Sequence, residues 1–221
     1  MQDVSQAKTP PTQRTMSRDS RRHQLIESTI ETLAQRGYAR TTLSDVARMA
    51  GLSQGLVNFH FATKENLLAE TLSYLAEEYR LNWSEALALA GDNPARQLDA
   101  MISADFNPAI CSPQRLSAWC SFWGETQCRP MYQNLCGSND EVYTGTMVQI
   151  CGRLIEQGRY EANPVRVARI IGATVEGIWL DLMTITAPYG LDEALTTVRT
   201  CVAMAFPRHI GPDGVLPGLP D

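Results

Sequence analysis

Two side-chain amides, Gln54 and Asn58, stand about one helical turn apart in the stretch GLSQGLVNFHFATKENLL, which runs from Gly51 to Leu68. A carboxamide offers a donor beside an acceptor, the pattern that meets an adenine edge bidentately. Ser53 and His60 are expected on the same exposed face, and Gly55 lets a backbone come close to a ligand. Thr42 and Lys64 fall at candidate helix starts, where unpaired N–H groups attract phosphate. The chemistry these residues support is non-covalent: amides reading base edges while helix ends and a lysine hold a phosphate backbone. The plainer alternative is a helical corner of a bundle whose polar face is merely solvated.

A second set lies far along the chain. Trp119, Phe122 and Trp123 recur at i, i+3 and i+4, on one face of a helix. Such rings serve as core, or as walls of an aromatic box for a quaternary ammonium, each face contributing on the order of 0.5–2 kcal/mol. Glu176 and Trp179 can add a carboxylate and another ring. A carboxylate on an otherwise apolar helix is costly unless paired. Arg169 and Arg199 are the candidate protein partners for Glu176, and a cationic ligand is the alternative.

The six cysteines form no CxxC pair and there are only three histidines, so neither a metal site nor a cofactor is expected. They read as small buried hydrophobes, with thiol sensing as the alternative for the evenly spaced Cys111, Cys120, Cys128 and Cys136. With no glycine-rich phosphate loop and no GxSxG, an enzyme is not expected. An architectural helical protein that merely retains the head is a further alternative.

Helices must position both sets. Apolar positions predict a helix from Arg22 to Arg36, ended by Gly37, then a short helix capped by Thr42. Gly51 permits a left-handed turn, Ser53 caps the next helix from Gln54 to about His60, and Thr63 caps a fourth. Two short helices joined by a Gly-Leu-Ser turn make a helix-turn-helix, whose second helix enters a major groove. Further helices are expected over 94–106, 113–127, 130–157, 164–187 and 191–206. The segment IIGATVEGIWLDLMTITA, from Ile170, is apolar nearly all round and so needs cover on two sides. With the helix after it, this predicts the seam of a homodimer, and Ile178 is expected mid-seam.

Net charge is −5, but residues 1–64 carry nine basic and five acidic groups, while residues 65–221 carry ten and nineteen. A basic front on an acidic body suits a small nucleic-acid-binding head on a larger domain. No apolar run reaches membrane-spanning length and no secretory signal is visible at the N-terminus, so the protein is expected to be cytoplasmic. Residues 1–20 are expected to be a flexible arm, 21–66 the head, 67–208 a ligand-binding and dimerisation domain, and 209–221 an irregular tail.

TTLSDVARMAGLSQGLVNFHFATKENLL resembles the DNA-binding segment of TetR-family transcriptional regulators. The pattern positions are Val46, Ala47, Ala50, Gly51, Ser53, Gly55, His60, Phe61, Lys64, Leu67 and Leu68. Asn58 departs from it, standing where the family usually has tyrosine. LSAWCSFWGETQCRPMYQNL and RLIEQGRYEANPVRVARIIGATVEGIWLDLM resemble the BetI-like, choline-responsive branch through Trp119, Phe122, Trp123, Glu125, Gly158, Tyr160, Glu176, Gly177, Ile178 and Trp179. The resemblance implies an all-α fold of about nine helices, with an N-terminal three-helix helix-turn-helix head on a larger helical domain. It implies a homodimeric repressor that binds double-stranded operator DNA and a small effector. Choline or a related quaternary ammonium leads as effector. A regulator of efflux or catabolism, answering to another small molecule or to thiol oxidation, is the alternative.

Overall fold

The computed structural model describes residues 17–217. The expected arm lies mostly outside the described residues. Its last residues do not continue a coil: Ser17 accepts a hydrogen bond from the Ser20 N–H and starts α1 (Arg18–Arg40). Asp19 in the first turn suits the positive end of that helix, which is why it begins four residues before the expected Arg22. Gly37, at φ +73°, breaks the helical run, as a residue without Cβ can. One further turn, Tyr38–Arg40, follows it.

Three short connections then build the head. Thr42 caps α2 (Leu43–Ala50), and Gly51 turns the chain at φ +65°. Ser53 caps α3 (Gln54–Phe61), and Thr63 caps α4 (Lys64–Leu89). Leu25, Ile30, Leu33, Val46, Val57, Phe61, Leu67 and Leu68 close the core between these helices.

The body follows as α5 (Pro94–Asp105), α6 (Pro113–Trp123), a 3-10 turn at Thr126–Cys128, α7 (Arg129–Gly158), α8 (Pro164–Thr184) and α9 (Leu191–Ala205). Three of these helices begin Asn-Pro or Ser-Pro: Asn93, Ser112 and Asn163 cap, while proline fills the first position, where no N–H is needed. Nine α-helices among the described residues match the all-α expectation. Helix ends differ from the periodicity. α6 stops at Trp123 with Gly124 as its C-cap, before Glu125 caps the 3-10 turn, and α8 stops at Thr184, three residues early, as Ile185 turns extended.

The tail is not wholly irregular. β1 (Ile210–Gly211) pairs antiparallel with β2 (Gly214–Val215), and Gly214 takes φ +114°. His209 and Ile210 are buried, the former hydrogen-bonded to the Tyr160 hydroxyl at 2.9 Å. Proline and glycine here signal a tight ribbon laid on the core.

Two buried clusters sit at opposite ends of α4, which feeds Leu67, Leu68, Leu72 and Leu75 into one and Trp83 into the other. The head's cluster also takes Ala118, Trp119 and Phe122 from α6, and Cys128 and Cys136 from the next segments. One face of α1 and two short helices have too little apolar surface to close a core alone, and α6 supplies the missing wall.

Candidate functional site

On the head, Ser53, Gln54, Gly55 and Asn58 are all exposed along α3. Thr42 is exposed too, although its hydroxyl already works: it accepts from the Asp45 N–H at 3.1 Å and donates to the Asp45 carboxylate at 2.7 Å. The first N–H groups of α2 beside it have no intrahelical acceptor.

Two expected contacts are more internal than their residue types suggest. The Lys64 ammonium donates to the carbonyls of Tyr38 at 3.0 Å and Ala39 at 3.2 Å, and lies 5.3 Å from the Tyr38 ring centre. It closes the end of α1, where carbonyls left without partners carry negative charge. His60 is half-buried, its Nδ1 has no hydrogen-bond partner among the described residues, and burial and then Arg22 hold its imidazole below the usual range. Both residues are half-buried, and the Lys64 ammonium is engaged by the head's own helices.

Sequence reasoning missed Phe59, which is 70% exposed on α3 between Asn58 and His60, with the Arg18 guanidinium 5.9 Å from its ring centre. The available signal was its place outside the apolar stripe of Val57 and Phe61. Arg22, by contrast, is tied down: it donates to the His60 carbonyl and pairs with Glu70.

In the body, Trp119, Trp123, Glu176 and Trp179 converge on one cavity of about 430 Å³. Trp119 and Trp123 stack with ring centres 5.9 Å apart, and Trp123 stacks on Trp179 at 6.4 Å. The two rings of α6 therefore make one wall between them rather than two facing walls. The remaining walls come from residues the sequence did not flag: Tyr79 of α4, and Tyr132, Asp140 and Tyr143 of α7. The spacing of the three along α7 looks like ordinary core and solvent pattern, and only the meeting of four helices reveals the box. Trp123 is 42% exposed at the rim, where Gly172, Ala173 and Glu176 of α8 border the opening.

The cavity's charges are mostly negative. Burial, and then the neighbouring Asp140, push the Glu176 carboxyl above its usual range. Burial also raises Asp140, against the Tyr132 hydroxyl, which pulls it down. Arg169 borders the same cavity but forms no ion pair with Glu176 among the described residues. The other candidate partner, Arg199, is committed elsewhere, its Nε and Nη2 donating to the Asp99 carboxylate at 2.7 and 2.8 Å.

Behind the aromatic wall lies Asp105, wholly buried at the end of α5. The hydroxyls of Tyr79 and Tyr143 each donate to one of its carboxylate oxygens at 2.8 Å, and the Trp179 indole N–H donates to its carbonyl at 3.1 Å. Burial pushes the Asp105 carboxyl up to about 7, while the two tyrosine hydrogen bonds pull the other way.

α6 joins cavity and head. Arg115 near its start donates to Glu78 of α4 at 2.7 and 2.8 Å and to Glu27 of α1 at 3.0 Å. Phe122 meets the Tyr38 ring edge-on at 5.8 Å. One turn away, Trp119 lines the cavity while belonging to the head's buried cluster.

The six cysteines are free, and burial raises the thiols of Cys111, Cys120, Cys128, Cys136 and Cys151. A buried thiol with a raised pKa is a poor nucleophile, which argues against sensing at the buried Cys111, Cys128, Cys136 and Cys151. No helix among the described residues is long and apolar enough to cross a membrane.

Comparison with known proteins agrees with this architecture. The family described as bacterial regulatory proteins, tetR family, matches residues 25–71. The BetI-type transcriptional repressor C-terminal family matches residues 94–207, more than half of the chain. The HTH-type transcriptional regulator BetI of Stenotrophomonas maltophilia is 29% identical over 160 residues, covering 72% of this chain and 80% of that protein. BetI of Paraburkholderia xenovorans is 28% identical over 189 residues, covering 86% and 95%. Among solved structures, a transcriptional regulator from Pseudomonas aeruginosa superposes with a TM-score of 0.71 at 23% identity, covering 88% of this chain and 94% of that one. A regulator from Saccharomonospora viridis in complex with choline superposes with a TM-score of 0.70 at 18% identity, covering 87% and 98%. These matches are to regulators, not enzymes. The chain belongs to the TetR family of bacterial transcriptional regulators, with a DNA-binding helix-turn-helix at its N-terminus and a BetI-type repressor domain behind it.

Proposed function

We propose that this protein is a dimeric, cytoplasmic repressor whose operator affinity is set by an organic cation, choline or a close quaternary ammonium, bound in the body cavity. The observation that carries the reading is the lining: six aromatic rings together with Glu176 and Asp140, with Arg169 as the cationic side chain at the edge. Ring faces attract a cation that sheds its water, and a carboxylate nearby offsets its charge. The relatives named BetI and the choline-bound neighbour support the same choice of ligand.

At the head, Gln54 and Asn58 read base edges, with Ser53 and Gly55 at close approach. Thr42 and the exposed Arg18 meet phosphate, while His60 and Lys64 brace the helices from inside. Phe59 supplies an apolar face for a thymine methyl, a contact that suits the major groove. Pairing two such heads requires a dimer, and the outward stripe of α8, with Ile170, Ala173, Gly177 and Leu180, is the face for it. Ile178 does not belong to that stripe: it is 8% exposed and packs into its own subunit. α6 carries the signal, because a ligand that moves Trp119 or Trp123 also moves the helix on which α1 rests. The effector works only through unequal affinity for two head spacings, about 1.4 kcal/mol for each tenfold change in DNA binding.

Calorimetric titration with choline tests this, with 3,3-dimethylbutan-1-ol as the uncharged isostere. Choline is expected to bind at least tenfold more tightly than the alcohol, and both Trp123→Ala and Glu176→Gln are expected to narrow that gap. Equal binding of the two compounds, or no binding of choline, overturns the cation site.

A further inference from the structure

We infer that Asp105, sealed behind Tyr79 and Tyr143, is a hidden counter-charge of the cavity, and that a cation entering the cavity drives a proton off it. The inference rests on the cation-binding reading above and goes beyond it by naming a residue that does not touch the cavity and a proton that leaves.

Asp105 is an acid with no basic partner. Tyr79 faces it from α4, Tyr143 from α7 and Trp179 from α8, and Cys111 lies near it after α5. No lysine, arginine or histidine pairs with it among the described residues, and the Glu176 charge acts on Tyr143. A lone buried carboxylate is costly, so near neutral pH the group is shared between its acid and ionised forms.

Both tyrosines that grip Asp105 also line the cavity. A cation on their inner side lies in a weakly polar region, where it stabilises the carboxylate more than water would. The balance is simple. The acid O–H breaks, its proton leaves by way of the tyrosine hydroxyls to the buffer, and the carboxylate that remains faces the ligand's charge. Phenols donating to a full negative charge also carry more electron density on their rings, which strengthens the ring–cation contact. A neutral ligand of the same shape makes the ring contacts but gives no reason for the proton to leave.

The sign follows by linkage. The cation favours the ionised form, so choline affinity falls as pH drops below about 7, where free Asp105 takes up its proton. Affinity is expected to be about tenfold weaker at pH 6 than at pH 8, if binding lowers the group by roughly two units or more. The neutral alcohol is expected to show a flat profile.

Calorimetry of choline binding to the full-length protein at pH 7, in phosphate and again in HEPES, counts the protons. Release of roughly half a proton per subunit is expected there, since the free group is half protonated at its midpoint. Asp105→Asn is expected to abolish the release at choline concentrations that saturate the site. Choline binding without buffer-dependent heat overturns the inference and leaves the cation site standing. So does release that survives in Asp105→Asn. Should Asp105→Asn not fold, the wild-type pH profiles decide, and a flat profile for choline overturns the inference. Failure of choline to bind at all overturns the cation site and this inference together.

Discussion

In the proposed reading Gln54, Phe59, Arg18 and Lys64 divide the work of the head, and the division can be measured. Gln54 and Phe59 stand exposed on α3, where each base-edge contact is worth about 1–3 kcal/mol of discrimination. Gln54→Ala is therefore expected to narrow the gap between operator and random DNA about tenfold or more, read by competition binding. Arg18 is an exposed charge beside Phe59, so Arg18→Ala is expected to weaken both DNAs alike and to flatten the salt slope by about one unit. Lys64 behaves differently, because its ammonium already holds two carbonyls of α1. Lys64→Ala is expected to lower the melting temperature by a few degrees and to leave the salt slope unchanged. A lower salt slope in that variant would show that the ammonium leaves its internal partners for phosphate.

The two longer-range functions proposed here fall to helices α6 and α8. On α8 the inner face, Ile171, Val175, Ile178 and Trp179, packs into the body, while Leu180 stays 52% exposed. Leu180→Glu is expected to yield folded monomers in light scattering, with helical content retained and tight operator binding lost. Ile178→Glu, in contrast, buries an unpaired charge and is expected to cost the fold itself, by about 3–5 kcal/mol. A folded monomer from Ile178→Glu and an intact dimer from Leu180→Glu would reverse that assignment. On α6, Arg115 ties the cavity helix to Glu27 of the head and Glu78 of α4. Arg115→Met keeps the side chain's length and removes its charge. It is expected to leave choline affinity within about twofold while cutting the change in operator affinity caused by choline, since coupling energies are typically only about 1–3 kcal/mol. An undiminished response would place the coupling elsewhere, in the Phe122–Tyr38 contact or α4.

Asp105 reports on the stability of the whole molecule. In the unfolded chain an aspartate titrates near 3.9, whereas here burial raises it to about 7. A group raised by folding contributes stability that is fully present below the unfolded value and lost as pH rises through the folded value. Its own contribution therefore falls between about pH 4 and pH 7. The wild type is expected to lose several degrees of melting temperature, relative to Asp105→Asn, on going from pH 5 to pH 8. Parallel melting profiles for the two proteins would mean that Asp105 is ionised throughout and held by its tyrosines alone.

Local chemistry made the head legible before any fold was known. Thr42, Gly51, Ser53 and Thr63 each act within four residues, through a cap or a left-handed turn, and the structure puts each at its expected job. The same holds for the prolines that open α5 and α8. Trp119, Trp123, Glu176 and Trp179 could be named because helical spacing puts rings on one face and a lone carboxylate stands out on an apolar helix. Their company could not be named. Tyr79, Tyr143 and Asp105 lie on three helices, up to 64 positions apart in the chain, and each alone reads as an ordinary core or surface residue. Which face of α8 is inside, and whether Lys64 points to solvent or back to α1, likewise depend on what packs alongside. Caps and turns obey local hydrogen bonding, which the order of residues states directly. Cavities, buried charges and seams arise where distant segments meet, and only the folded chain decides what they touch.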